Sequence, residues 1–152
     1  MVECYRISVK SADADESLPE AFWNVARALR HQARHTLTPW DITPSQSRAL
    51  GVLLHHGAMR LSDLAEHLRI APRSATEVVD DLQSRGLAER RPDAHDRRAT
   101  LVALTEAGTA TGNAIREARQ AETERVFGCL DERDQAALAR ILRQLRSVIP
   151  PH

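Results

Sequence analysis

Residues 61–104 place the tightest constraint on what this chain can fold into. Leu64, Ala65 and Leu68 recur at helical spacing, Arg69-Ile70-Ala71 interrupts them, and Ala75, Val78, Val79 and Leu82 resume the period. Pro72 suits the first position of the second helix, and Gly86 stops it. Two short helices joined by so tight a turn read as a helix-turn-helix. The pattern then changes. Leu87-Ala88-Glu89-Arg90-Arg91 and Thr100-Leu101-Val102-Ala103-Leu104 are β-prone runs on either side of the polar segment 92–98, which predicts a hairpin. A hairpin directly after a helix-turn-helix is a wing.

Helices flank this unit on both sides. Leu18, Phe22, Val25, Ala26, Leu29 and Ala33 share one face of a first helix, which Pro39 is expected to end, with Trp40, Asp41 and Ile42 as a loop. Thr43-Pro44-Ser45-Gln46 has the pattern of a capping box with proline at the first helical position. That helix is expected to reach about His55 and stop at Gly57, burying Leu50, Leu53 and Leu54. Ser62 can cap the next helix, or bond a phosphate. Thr105 caps a long helix to Phe127, whose first turns Gly108 and Gly112 weaken. Gly128 breaks it. Asp131 then caps a last helix with a stripe of Leu138, Ile141, Leu142, Leu145 and Val148, ended by Pro150 and Pro151. The expected class is mainly α with a small β-hairpin. Residues 1–17 read as a flexible arm, 43–104 as a winged helix-turn-helix, and 18–42 with 105–149 as a helical dimerisation region.

Composition narrows the function. Only 3% of the 152 residues are aromatic, so the core is aliphatic. Lys+Arg and Asp+Glu both number 21, which excludes a histone-like polybasic protein but not a local basic surface. Lys10 is the only lysine; the other basic residues are arginines, suited to bidentate contacts with phosphate and guanine. No apolar run is long enough for a membrane span, and no signal-peptide core precedes residue 17, so the cytoplasm is expected. Cys4 and Cys129 have no metal-type spacing. His31 and His35 lie four apart, but no cysteine or acid near them or near His55 and His56 completes a ligand set. No metal and no cofactor is expected. No Gly-rich phosphate loop, nucleophile elbow or HExxH occurs, so the chain does not read as an enzyme.

The segments Leu61-Ser62-Asp63-Leu64-Ala65-Glu66-His67-Leu68 and Leu82-Gln83-Ser84-Arg85-Gly86-Leu87 resemble the winged helix of MarR-type transcriptional regulators. Residues 90–105, with Asp96-Arg97-Arg98 and the closing Leu104-Thr105, are similar to that family's wing signature, an Asp-x-Arg before a strand ending Leu-Thr. Thr43-Pro44-Ser45-Gln46 matches the usual start of its second helix. The resemblance spans roughly residues 18–148. It implies an obligate homodimer built on the first, fifth and sixth helices, a pseudo-palindromic double-stranded DNA operator, repression of a nearby promoter, and release by a small aromatic or phenolic anion. For the wing it implies a minor-groove arginine, Arg98 first and Arg97 second, with Asp96 holding the wing in shape.

Helix geometry adds candidates. The N-terminal turns of the recognition helix enter the major groove, where Arg73, Ser74 and Thr76 face bases or phosphates. Glu77 departs from the basic residue common there in the family. Segment 69–98 carries seven arginines and six acids, a net of +1, so binding relies on placed arginines rather than bulk charge, with the acids facing away or orienting arginines. Arg90 and Arg91 alternate on a strand, so at most one faces DNA. A cationic, partly apolar effector pocket would draw on His31, Arg34, His35, Trp40 and His55. The family's peroxide sensors carry a cysteine in the first helix; here Cys4 precedes it and Cys129 follows much later, a departure from that subclass. The sequence reading is a sequence-specific DNA-binding regulator. The alternative is a winged-helix protein-interaction module, which would have no need of arginines at both groove-facing places.

Overall fold

The computed structural model describes residues 16–93, 96 and 99–149. Cys4, most of the expected arm, Arg97, Arg98, Pro150 and Pro151 lie outside the described residues. The chain divides into two units, one ending at His35 and the other beginning at Thr36. The first holds α1, Leu18–His35. Ser17, assigned by sequence to the arm, sits at its start: its N–H and hydroxyl both donate to Glu20 Oε2, at 3.0 and 2.6 Å. α1 ends four residues before Pro39, which instead lies inside a 3-10 turn, Thr38–Trp40. Proline tolerates the start of such a turn as readily as the stop of a helix, and the expected stop at Pro39 is corrected accordingly.

The second unit runs α2 (Pro44–His56), β1 (Met59–Arg60), α3 (Leu61–Leu68), α4 (Pro72–Ser84), β2 (Ala88–Pro92), β3 (Thr100–Leu104), α5 (Glu106–Phe127) and α6 (Glu132–Val148). The expected class stands: mainly helical, with a small antiparallel wing. The capping box forms, with Thr43 Oγ1 accepting from Gln46 N at 3.2 Å and Gln46 Oε1 from Thr43 N at 2.8 Å. Thr105 and Asp131 cap α5 and α6, accepting from Gly108 N and Asp134 N. The sequence reading missed β1, which is too short for alternation to show. It pairs with β3, giving sheet order β1-β3-β2, with Met59 opposite Val102 and Ala88 opposite Leu104. β2 is thus an edge strand, which is where Pro92 is tolerated.

The missed strand also moves a cap. Arg60 holds the N-cap position of α3, and Ser62 lies inside the helix, its hydroxyl donating to Asp63 Oδ1 at 3.1 Å. Ser62 therefore does not cap α3.

The core is aliphatic, as composition requires. Leu50, Leu53, Leu64, Leu68, Val79, Leu82, Val102 and Ile115 are buried together with Leu37 and Ile42, which flank the 3-10 turn. No residue of α1 or α6 is buried in the single chain, and Ile141, Leu142, Leu145 and Val148 of α6 remain exposed.

Gly108 and Gly112 have a role that helix propensity hides. A β-carbon on Gly108 would overlap the Leu87 carbonyl oxygen, and one on Gly112 would come within 2.6 Å of Leu54 Cδ1. Their absence lets α5 close against α2 and the entry to β2. A backbone carbonyl cannot swing aside as a leucine methyl can. Gly108→Ala is therefore expected to destabilise the fold by about 2–4 kcal/mol and Gly112→Ala by less, compared by urea unfolding. Equal, small effects would show that the α5 start has slack.

Candidate nucleic-acid interface

The helix-turn-helix bends at Arg69. This residue ends α3 in the left-handed region, with φ 54°. Its N–H donates to Glu66 O and the Ile70 N–H to Ala65 O, at 3.0 and 3.1 Å. This is the pattern that usually takes glycine at the left-handed position. Gly86 supplies glycine at the same point of α4, where Gly86 N donates to Gln83 O and Leu87 N to Leu82 O, both at 2.9 Å. Arginine at the first turn accepts a conformational cost of order 1 kcal/mol. Across the turn, the Arg48 guanidinium donates to the Leu68 carbonyl and satisfies the α3 terminus.

α4 begins after Ala71, which has no side-chain cap to offer. Pro72 lacks an N–H, so Arg73 and Ser74 present the first amide donors of the helix, an arrangement suited to an anion. Both side chains are exposed. Thr76 is partly buried and its hydroxyl donates to Pro72 O at 3.0 Å, so it is already engaged. Ala75, Val79 and Leu82 pack inward, with Val78 partly buried beside them.

The acids on α4 are each taken up locally. Arg73 pairs with Glu77 at 3.4 Å. Arg90, reaching from β2, bonds Asp80 Oδ1 at 2.6 Å and Gln83 Oε1 at 2.5 Å. Asp81 Oδ2 accepts from the buried Gln46 Nε2 at 3.5 Å. Arg85 at the C-terminus donates to the carbonyls of Trp40 and Asp41, at 2.7 and 2.6 Å. α4 is thus tied at its middle to the wing and at its end to the segment before α2. Arg91 lies 4.0 Å from Glu89. In the wing, Arg60 Nη2 donates to Asp96 Oδ2 at 3.1 Å. Sequence reasoning missed Arg60, because its partner lies 36 residues away and the strand that carries it was not visible.

A cavity of about 340 Å³ opens between α2 and α5, lined by Ser47, Leu54, His55, Ile115, Arg116 and Arg119 among others. Ser47 Oγ and Arg119 Nε are buried with no hydrogen-bond partner among the described residues. Of the five residues named for an effector, His55 lines this cavity. Trp40 packs against the core, and His31, Arg34 and His35 lie on the last two turns of α1. Ser47, Arg116 and Arg119 were not singled out. Their spacing shows which helix face they share, but not that α2 and α5 leave a space between those faces.

His55 belongs to an imidazole row. Its ring centroid is 4.6 Å from that of His56, which stacks on His67 of α3 at 4.4 Å. Desolvation within the row, then the charges of His67 and His55, hold His56 below the ordinary imidazole pKa of 6.5. A histidine lowered in the fold protonates more readily when unfolded. Its contribution is therefore present above the unfolded value and is lost as pH falls below it. The urea midpoint is expected to fall from pH 7 to pH 5 more steeply in the native protein than in His56→Gln. Parallel curves would show that the row carries no such linkage.

Comparison with known proteins agrees with this geometry. The MarR family model matches residues 40–99. The HTH-type transcriptional regulator MT0903.1 of Mycobacterium tuberculosis is 33% identical over 108 residues, covering 71% of this chain and 76% of that protein. The HTH-type transcriptional repressor MdtR of Bacillus subtilis is 29% identical over 104 residues, 68% of this chain and 67% of its own. A MarR family protein from Bacillus stearothermophilus superposes with a TM-score of 0.72 at 28% identity, over 86% of this chain and 91% of that one.

Proposed function

Because this chain belongs to the MarR family of winged helix-turn-helix transcriptional regulators, we propose that it acts as a homodimeric repressor that reads a pseudo-palindromic operator and is released by a small aromatic anion. The observation that carries the DNA reading is the start of α4. Exposed Arg73 and Ser74 stand at an uncapped helix N-terminus, while Glu77, Asp80 and Asp81 are each engaged by a neighbouring side chain. A helix so arranged offers donors to a duplex without presenting free carboxylates to it. Ser62, exposed near the start of α3, supplies a phosphate donor once its hydroxyl turns from Asp63 Oδ1. Thr76 serves by shaping the first turn. Arg98, with Arg97 second, is the minor-groove residue, attracted where an A·T-rich groove concentrates negative potential. The repressor described as MdtR supports the sign of regulation. The relatives are regulators, which sets the enzyme reading aside.

The dimer follows from apolar surface. Phe22 and Val25 of α1 are exposed in the single chain, as are Ile141, Leu142 and Leu145 of α6. A second copy covers such faces by two-fold symmetry, which also sets half-sites about one helical turn apart.

The DNA reading is tested by titrating a labelled duplex from upstream of the protein's own gene across a salt series. Arg73→Ala and Arg98→Ala are each expected to weaken binding by about 1–3 kcal/mol. Weak, competitor-sensitive binding that is equal in all three proteins would favour a protein-interaction module instead.

The effector is assigned to the α2–α5 cavity, where a carboxylate would meet Arg116, Arg119 and the Ser47 hydroxyl while its ring lies on Leu54 and Ile115. An unpartnered buried hydroxyl and guanidinium nitrogen are costly when empty and favour a polar ligand. Benzoate is expected to lower operator affinity in the native protein and to leave Arg119→Met unresponsive. An equal response in both would move the effector elsewhere.

A further inference from the structure

The wing has an anchor besides its strand ladder. Arg60 ends β1 and stands at the N-cap of α3, where its side chain makes no capping bond. Its guanidinium turns to the wing instead. Nη2 donates to Asp96 Oδ2 at 3.1 Å and lies 3.8 Å from Asp93 Oδ2. These two carboxylates stand at the start and the middle of the wing turn, whose backbone closes by Asp93 N–H donating to Ala99 O at 3.0 Å and Ala99 N–H to Asp96 O at 2.9 Å. β1 and β2 lie on opposite sides of β3. One side chain from the far edge of the sheet therefore engages the first and the middle residue of the turn.

We propose that Arg60 is a positioning residue for DNA binding, fixing the wing turn over the duplex without touching DNA itself. This rests on the DNA-binding reading above. Two physical points support it. Arg60 and Asp96 are half exposed, so their ion pair adds little to overall stability. Their effect is orientational: a two-stranded hairpin is marginal on its own, and a groove contact is lost when its supporting shell is loose. Charge points the same way. Two carboxylates near a phosphate backbone repel it, and a guanidinium between them reduces that repulsion.

The test uses the full chain with Arg60→Met, Asp96→Asn and the double variant, and a duplex selected by the native protein from a random-sequence pool. Arg60→Met is expected to weaken binding about tenfold with the salt slope unchanged. The double variant should bind no more weakly than Arg60→Met alone, because both remove one interaction. In the free protein, amide exchange at Asp93 and Ala99 should quicken in Arg60→Met, with the thermal midpoint moving by no more than about 2 °C. A reduced salt slope in Arg60→Met, with Asp96→Asn binding at full strength, would mean that Arg60 grips a phosphate and would overturn the proposal. Unchanged exchange in free Arg60→Met would overturn it whatever the DNA result. A native chain that selects no duplex would count against the DNA-binding reading, and the exchange measurement would still decide whether Arg60 holds the wing.

Discussion

Thr105 is the point on which the rest of the fold depends. Its hydroxyl accepts from Gly108 N at 3.0 Å and so caps α5, and the same hydroxyl donates to Gly86 O at 2.7 Å. Its backbone N–H donates to Leu87 O at 3.2 Å. One residue thereby joins the end of the recognition helix, the entry to the wing, the exit from the wing and the start of the long helix. The geometry works only because Gly108 leaves room for the Leu87 carbonyl. A hydroxyl can both donate and accept, which is why a threonine serves here where an aspartate, a stronger acceptor for the cap, would face the Gly86 carbonyl with no donor.

From that junction outward, the arginines act as ties more than as a charge field. Arg90 ties β2 to α4, Arg85 ties α4 to the carbonyls before α2, Arg48 ties α2 to the end of α3, and Arg60 ties β1 to the wing. The planar fork of a guanidinium can satisfy two acceptors at once, as Arg85 does with two successive carbonyls and Arg90 with a carboxylate and an amide. Lysine offers no such geometry. The near absence of lysine from the chain thus has a structural correlate, and the balance of acids within residues 69–98 becomes intelligible as pairing.

The helices and the hairpin were legible because their signals are local. The Thr43 capping box, Pro72, Gly86 and Gly128 each act within one turn, and the structure places the helix boundaries beside them. What escaped was non-local. β1 has two residues and exists because β3 offers it an edge, so no periodicity could announce it. That omission carried two others, the cap assigned to Ser62 and the contact made by Arg60. Gly108 and Gly112 carry a helix-weakening signature in sequence. Their packing role depends on Leu87 and Leu54, which are distant along the chain. The lining of the cavity failed to show for the same reason. Ser47 and Arg119 lie on helices whose facing sides become a site only when the two are brought together.

That cavity lies where a ligand would have leverage. Its α2 wall begins at the capping box, and Gln46 of that box reaches Asp81 on the recognition helix. Its α5 wall begins at Thr105, which holds the base of the wing. Under the proposed function, a ligand that spreads α2 from α5 acts on both DNA-reading elements through different partners. Leu50, Leu53 and Ile115 of the core lie on these two helices and would move with them. Close-packed interiors resist gradual deformation and respond by shifting whole elements. The polar groups left unpaired at Ser47 and Arg119 lower the cost of such a shift, because the ligand supplies bonds that the closed arrangement lacks. On that reading, a net-neutral regulator whose affinity depends on a few placed arginines is correspondingly sensitive. A displacement that misaligns even one or two of them removes a large share of the specific binding energy, with no bulk charge field left to hold the complex.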